Sequence, residues 1–289
     1  MKIIKIVLTL ILIPVFVYSQ ASLSVKRVDK LRKCVVRILV NDTARGTGFY
    51  ISPLGEVATC QHLFFDYFNN TTNTNNFRIQ VEQVDGIKYD VEICDFLFKE
   101  GYKKSSQYDY CILKLKNRVD KRFDFYILDT LSIKLDGSKI YSAGYPFGIE
   151  QQLITSGIIS NVYETKQFIY IGKDSTMYKI LTAYLDLTMN RGNSGGPIIL
   201  QGKNIKKDRV IGLATFINSV GASQSDALLD YLKKVTGGKA TVGLEIYGQN
   251  IANTNMLFAE AIANNSVGIS ACYSAKYVKE QLIKLGIIR

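Results

Sequence analysis

Asn190-Arg191-Gly192-Asn193-Ser194-Gly195-Gly196-Pro197 runs directly into the apolar segment Ile198-Ile199-Leu200. A serine is boxed in by glycines just before a strand-like stretch. Gly192 can take backbone angles closed to other residues, so the turn can be tight. Such a turn can aim the backbone N–H groups of Gly192 and Ser194 at one point. That is what a carbonyl oxygen needs as it gathers negative charge under attack. Gly195 and Gly196 let another segment approach closely. A serine hydroxyl is a weak nucleophile without a base beside it, so the rest of the chain must supply one.

The chain holds a single histidine, His62. It closes Arg45-Gly46-Thr47-Gly48-Phe49-Tyr50-Ile51-Ser52-Pro53-Leu54-Gly55-Glu56-Val57-Ala58-Thr59-Cys60-Gln61-His62. This parses as strand, turn at Ser52–Gly55 and strand, a hairpin pattern of antiparallel β structure, with His62 at the end of the second strand. Imidazole is the side chain best suited to take a hydroxyl proton near neutral pH. Further on, Asp109 opens the otherwise apolar segment Tyr110-Cys111-Ile112-Leu113. A buried carboxylate there would fix the histidine tautomer and stabilise its protonated form.

Around these three the pattern is mostly β. A short amphipathic helix is expected over 24–33, then a strand from Cys34 to Val40. Phe77–Val81 and Ile87–Ile93 should pair around Asp85-Gly86, and 119–130 should cross between halves of the chain. Ile140–Gly144, Leu153–Val162, Phe168–Ile171, Lys179–Leu187 and Val210–Phe216 are strand-like. Helical spacing appears late, over Ser225–Val235, Asn255–Ala263 and 275–286, the last capped by Ser274 and carrying a Glu280–Lys284 pair.

Composition narrows the function classes. The 289 residues suffice for one large core or two smaller ones. Lys2 and Lys5 precede an apolar run from Ile6 to Val17, about the length of a signal-peptide core and too short for a comfortable membrane span. Cleavage after Ser19 would lower the formal charge from +11 to +9. The expectation is an exported protein, periplasmic or secreted, with no stable membrane span once the signal peptide is removed. The basic residues are scattered. Lys26, Lys30 and Lys33 form a solvated helix face opposite Val28, Leu31 and Val35. No basic cluster is interleaved with aromatics, so nucleic acid is not an expected partner. Five cysteines without a Cys-x-x-Cys, and one histidine, argue against a zinc site. No metal and no cofactor are expected, and disulfide pairing is not legible.

Taken together, these segments resemble a trypsin-fold serine protease of the HtrA (Deg) type. The match runs in order through Gly46-Thr47-Gly48-Phe49 to His62, Asp85-Gly86, and Asp109-Tyr110-Cys111-Ile112-Leu113. It continues through Gly144-Tyr145-Pro146-Phe147-Gly148, Thr155-Ser156-Gly157-Ile158-Ile159-Ser160, Asp186 to Pro197, and Gly268 to Gly286. The resemblance implies an all-β fold of two six-stranded antiparallel barrels, with a C-terminal helix and a partly helical insertion. Residues 1–19 would be the signal peptide and 20–289 the peptidase domain. The first barrel would span 33–118 and the second 131–289, with the insertion at 218–266 and no PDZ domain. Catalytic roles fall on His62, Asp109 and Ser194, the oxyanion hole on Gly192 and Ser194, and the substrate pocket on Thr188, Thr215, Phe216 and Ile217. Thr188 stands where trypsin has an aspartate, so small or medium apolar side chains are the expected preference. Asn193 replaces the aspartate that trypsin relatives pair with a freed N-terminus, so activation by that ion pair is not expected. Gln61 and Cys60 also depart from the family pattern.

The reading is an exported serine endopeptidase acting through an acyl-enzyme on polypeptide substrates, unfolded or damaged proteins among them, with room for a homo-oligomer. The alternative is a latent binding protein on the same fold, its cleft capped by 218–266. A cysteine hydrolase using Cys60 with His62 is a poor third. Their Cα atoms would lie about 6–7 Å apart on one strand, and Cys60 lacks a glycine-built anion hole.

Overall fold

The computed structural model describes residues 23–64, 77–94, 109–171, 174–217, 245–246, 249–250 and 269–288. The expected signal peptide, the helices expected at Ser225–Val235 and Asn255–Ala263, and nearly all of the expected insertion lie outside these residues.

Helix α1 (Val25–Cys34) leads into β1 (Val35–Val40). Strand β1 is buried at all six positions, yet its side chains alternate in destination as the pleat requires. Val36, Ile38 and Val40 enter the first core, while Val35 faces a different one. β2 (Thr43–Tyr50), β3 (Val57–Thr59), β4 (Ile79–Glu82), β5 (Lys88–Ile93) and β6 (Cys111–Leu115) complete a closed barrel in the order β1-β2-β3-β6-β5-β4. Tyr50, Val57, Phe64, Val81 and Leu113 fill it.

The second barrel closes as β10-β11-β14-β9-β8-β7. Its strands are β7 (Lys139–Gly144), β8 (Leu153–Ile171), β9 (Asp174–Asp186), β10 (Pro197–Leu200), β11 (Arg209–Ile217) and β14 (Ile269–Ser274). β12 (Glu245–Ile246) and β13 (Gln249–Asn250) form a separate pair. The strands expected at Leu153–Val162 and Phe168–Ile171 are one continuous strand. It pairs with β9 from Ile158↔Asp186 out to Ile171↔Asp174, and the polar Thr165-Lys166-Gln167 does not interrupt it. Helix α2 (Lys276–Lys284) closes the chain. The side chain of Ser274 accepts from the Lys276 N–H, and the i,i+4 ion pair runs from Lys276 to Glu280 rather than from Glu280 to Lys284 as expected.

A third cluster joins the two barrels. Val35, Phe49, Tyr110 and Ile112 of the first meet Tyr141, Tyr145, Ile199 and Leu213 of the second. Leu31 of α1 and Val278 and Leu282 of α2 complete it. Apolar burial of this kind contributes about 25 cal/mol per Å², so the docking of the barrels is part of the fold's core.

Candidate active site

Each candidate residue is placed by its local fold. β3 ends at Thr59, and His62 sits one turn later, in the 3-10 turn Gln61–Phe64. It is therefore beyond the strand end rather than on it. Buried Gln61 and Phe64 hold that turn against the first barrel. Asp109 lies two residues before β6, not within it, at φ +42. A non-glycine residue at such an angle persists only where its surroundings over-determine it. Here they do. Asp109 Oδ1 accepts the His62 backbone N–H (2.9 Å), Oδ2 lies 2.9 Å from His62 Nδ1, and Oδ2 also accepts the Thr215 hydroxyl (2.7 Å). An ionised carboxylate only accepts, so an imidazole paired with it donates the shared proton from Nδ1.

The serine turn comes from the second barrel. Gly192 has φ +99, and a Cβ there would stand 2.4 Å from Tyr145 O. Gly195 has φ +85, and a Cβ there would stand 2.3 Å from Thr47 O and 2.8 Å from Cys60 N. That close approach brings the turn against the segment leading to His62. Three more bonds fix it: Thr47 N–H to Ser194 O (3.0 Å), Gly195 N–H to Ala214 O (2.8 Å) and Gly196 N–H to Asn193 O (2.9 Å). The Asn193 N–H goes to Asn190 O. Among the described residues, the Gly192 and Ser194 N–H groups have no such acceptor. Asn193 lies with its amide against Gly144, whose Cβ position would be 2.5 Å from Asn193 Oδ1.

Of the expected pocket residues, Thr188 is exposed just beyond β9, between buried Leu187 and Met189. Thr215, expected to line the cleft, carries its hydroxyl to Asp109. Phe216 and Ile217 continue β11, but their side chains lie outside what the structure describes. Phe147, in the turn beside Gly192, was not singled out by sequence. It is 62 % exposed at φ +56, and its N–H donates to Arg191 O.

Cys60, His62 and Asp109 bring one ligand atom each within 4.8 Å of one another, the one such group among the described residues. Cys60 is fully buried, and burial, with Asp109 beside it, pushes its thiol well above the usual range. The thiol donates to Ala214 O at 3.2 Å. The cluster is thus hydrogen-bonded rather than poised to coordinate, and a thiol kept protonated is a poor nucleophile. All five cysteines are free thiols.

Residues 46–213 match the family model described as the trypsin-like peptidase domain, and the chain belongs to that family. Within it, the chain is similar to proteases of the HtrA type. It is 29% identical over 213 residues to serine protease HTR4 of Rattus norvegicus, covering 71% of this chain and 38% of that protein. It is 29% identical over 178 residues to the probable periplasmic serine endoprotease DegP-like of Chlamydia pneumoniae, covering 62% and 30%. The chain thus spans about a third of the length of these relatives. Among solved structures, the inactive form of a serine-to-alanine mutant of Rv3671c from M. tuberculosis H37Rv aligns over 91% of both chains with a TM-score of 0.52 at 16% identity, a likeness of fold.

Proposed function

We propose that this chain is a serine endopeptidase of the HtrA type that hydrolyses polypeptides through Ser194, His62 and Asp109. The observation that carries the reading is the Asp109 carboxylate. It grips both the ring and the backbone of His62 and is itself held by Thr215 across the barrel boundary. In this mechanism His62 Nε2 takes the proton of Ser194 Oγ as that oxygen attacks the peptide carbonyl. The developing oxyanion is bound by the N–H groups of Gly192 and Ser194. His62, now protonated, gives its proton to the leaving amine, and water repeats the sequence on the acyl-enzyme. Asp109 stabilises the transient imidazolium and fixes its orientation.

Thr188, Thr215, Phe216 and Ile217 would shape the pocket. With a threonine and no carboxylate at position 188, Lys and Arg side chains gain no ion pair there, and small or medium apolar residues are favoured. The periplasmic designation of the chlamydial relative and the basic-then-apolar segment over residues 2–17 support an extracytoplasmic protein with residues 1–19 as signal peptide. Among the described residues no helix is long and apolar enough to cross a membrane. Residues 20–289 would then form the peptidase domain, with 218–266 bordering its cleft.

The test is labelling by a fluorophosphonate probe alongside casein degradation, with Ser194→Ala as comparison. Loss of both signals in the variant supports the reading. A folded wild-type chain that takes up no probe would overturn it in favour of the latent binding protein.

A further inference from the structure

We propose that Thr47 of the first barrel is a positioning residue for the oxyanion turn of the second, acting through its hydroxyl. The inference rests on the reading of Gly192 and Ser194 as oxyanion donors and goes beyond it by naming what orients them.

Thr47 is completely buried in β2. A hydroxyl offers one donor and two acceptor sites, and the structure uses it in both senses. Thr47 Oγ1 donates to Gly192 O at 2.7 Å and accepts the Tyr145 N–H at 3.0 Å. Its backbone makes two further bonds, N–H to Ser194 O (3.0 Å) and C=O from Thr59 Oγ1 (2.6 Å).

The consequence follows from peptide planarity. In a trans peptide the C=O and the next N–H point in opposite directions. Thr47 holds the C=O of the 192–193 peptide while Asn190 O holds its N–H, so that plane is gripped from both sides. The preceding peptide, 191–192, is gripped by the Phe147 N–H on Arg191 O at 2.6 Å, which turns the Gly192 N–H the other way. Phe147 belongs to the turn whose entry residue, Tyr145, is held by the same Thr47 hydroxyl. One hydroxyl therefore fixes one peptide flanking Gly192 directly and the other through Tyr145–Phe147. Glycine at φ +99 supplies no side-chain obstacle to rotation of either plane, so hydrogen bonds must do this. Because Thr47 sits on the barrel that also carries His62 and Asp109, the donor turn is set relative to the base.

The experiment compares Thr47→Val, which keeps the shape and removes the hydroxyl, with Thr47→Ser, which keeps the hydroxyl, both in the full chain. Hydrogen exchange is read over 145–149 and 190–196, together with kcat and KM on a peptide substrate and thermal unfolding. In Thr47→Val, exchange should quicken by about tenfold in both segments. The value of kcat should fall by about 10–100-fold with KM changed less than about threefold, since the interaction lost belongs to the transition state. Thr47→Ser should restore both. Should the valine variant fail to fold, Thr47→Cys fits the same space with a much weaker hydrogen-bonding group and takes its place. Unchanged exchange in both segments overturns the proposal. So does a rise in KM at constant kcat, or a serine variant as impaired as the valine one. If the wild-type chain proves inactive, the protease reading fails by itself, and exchange still decides the role of Thr47.

Discussion

Replacing Arg27 with alanine should cost this fold about 3–5 kcal/mol, through a carboxylate far from the candidate active site. Asp208 has a fully buried side chain. It accepts from Arg27 Nε (2.8 Å), Arg27 Nη2 (3.1 Å), the Gly202 N–H (2.7 Å) and Tyr141 Oη (2.7 Å). Arg27 also donates to Gly202 O at 2.7 Å, so helix α1 is pinned to the β10–β11 connection by a side chain only 11% exposed. Truncating the arginine leaves the carboxylate with two neutral donors and no cation. Stranding one partner of a buried ion pair typically costs about 3–5 kcal/mol, a large share of the roughly 5–15 kcal/mol that holds a domain together. Urea unfolding of the wild type and Arg27→Ala, at equal denaturant slope, measures the loss.

A second substitution separates the pair from mere packing. In the Arg27→Ala background, Asp208→Asn removes the stranded charge and should recover about 1–3 kcal/mol relative to additivity. In the wild type, the same change should destabilise. An Arg27→Ala cost below about 1 kcal/mol would refute the reasoning, because an exposed pair behaves that way. Strict additivity of the two changes would refute it too, since the two groups would then not be coupled.

Four further outcomes follow from other parts of the structure. Thr215→Val removes a hydrogen bond to a carboxylate, worth about 1.5–3 kcal/mol. Asp109 is 21% exposed, so water replaces part of that bond; kcat should fall by about tenfold, and Thr215→Ser should restore it. Gly192→Ala should lower kcat by about 100-fold while far-UV circular dichroism stays unchanged, because the new Cβ meets Tyr145 O at 2.4 Å in a backbone conformation L side chains rarely adopt. Cys94 is the one cysteine that is not buried, and mass mapping of native protein treated with iodoacetamide should find it modified first. Burial pushes the Cys34 and Cys272 thiols up to about 12 from 9.0. Between these values the unfolded chain releases protons that the folded chain keeps. Their contribution is therefore complete below about pH 9 and is lost as pH rises toward about 12. The melting temperature should decline over that range, more gently in Cys272→Ala.

His62, Asp109 and Ser194 were legible as candidates because each sits in a short segment whose chemistry is local: a glycine-boxed serine, a lone imidazole after a hairpin, a carboxylate before an apolar run. What the sequence hid were pairings over long separations. Thr215 reads as a pocket residue on an apolar strand; only the closed second barrel brings its hydroxyl to Asp109, 106 positions earlier. Thr47 stood inside a quoted motif, yet its role depends on Gly192 and Tyr145, from a different barrel. A faint signal existed, because a hydroxyl in a stretch buried from Gly46 to Tyr50 must find a partner. Arg27 was hidden by its neighbours: the basic face of α1 reads as solvated, and nothing local distinguishes the arginine that turns inward. The long β8 strand was read as two because Thr165-Lys166-Gln167 lacks apolar character. Its pairing is supplied by the antiparallel partner β9, whose register continues past the break.

Several of the bonds that shape the candidate site cross from barrel to barrel. Thr47 reaches Gly192 and Ser194, Cys60 reaches Ala214, and Thr215 reaches Asp109. Neither barrel alone holds a base with its carboxylate fully supported, nor a donor turn with its peptides fixed. The apolar cluster between the barrels is consequently part of the chemistry as well as of the stability. A shift of about 1 Å at that interface would lengthen every one of these bonds together, and hydrogen bonds weaken steeply over that distance. α1 and α2 both pack into that cluster through Leu31, Val278 and Leu282, and α1 is tied further by Arg27 to Asp208. The helices, which carry no candidate catalytic residue, thus hold the two halves of the site in register.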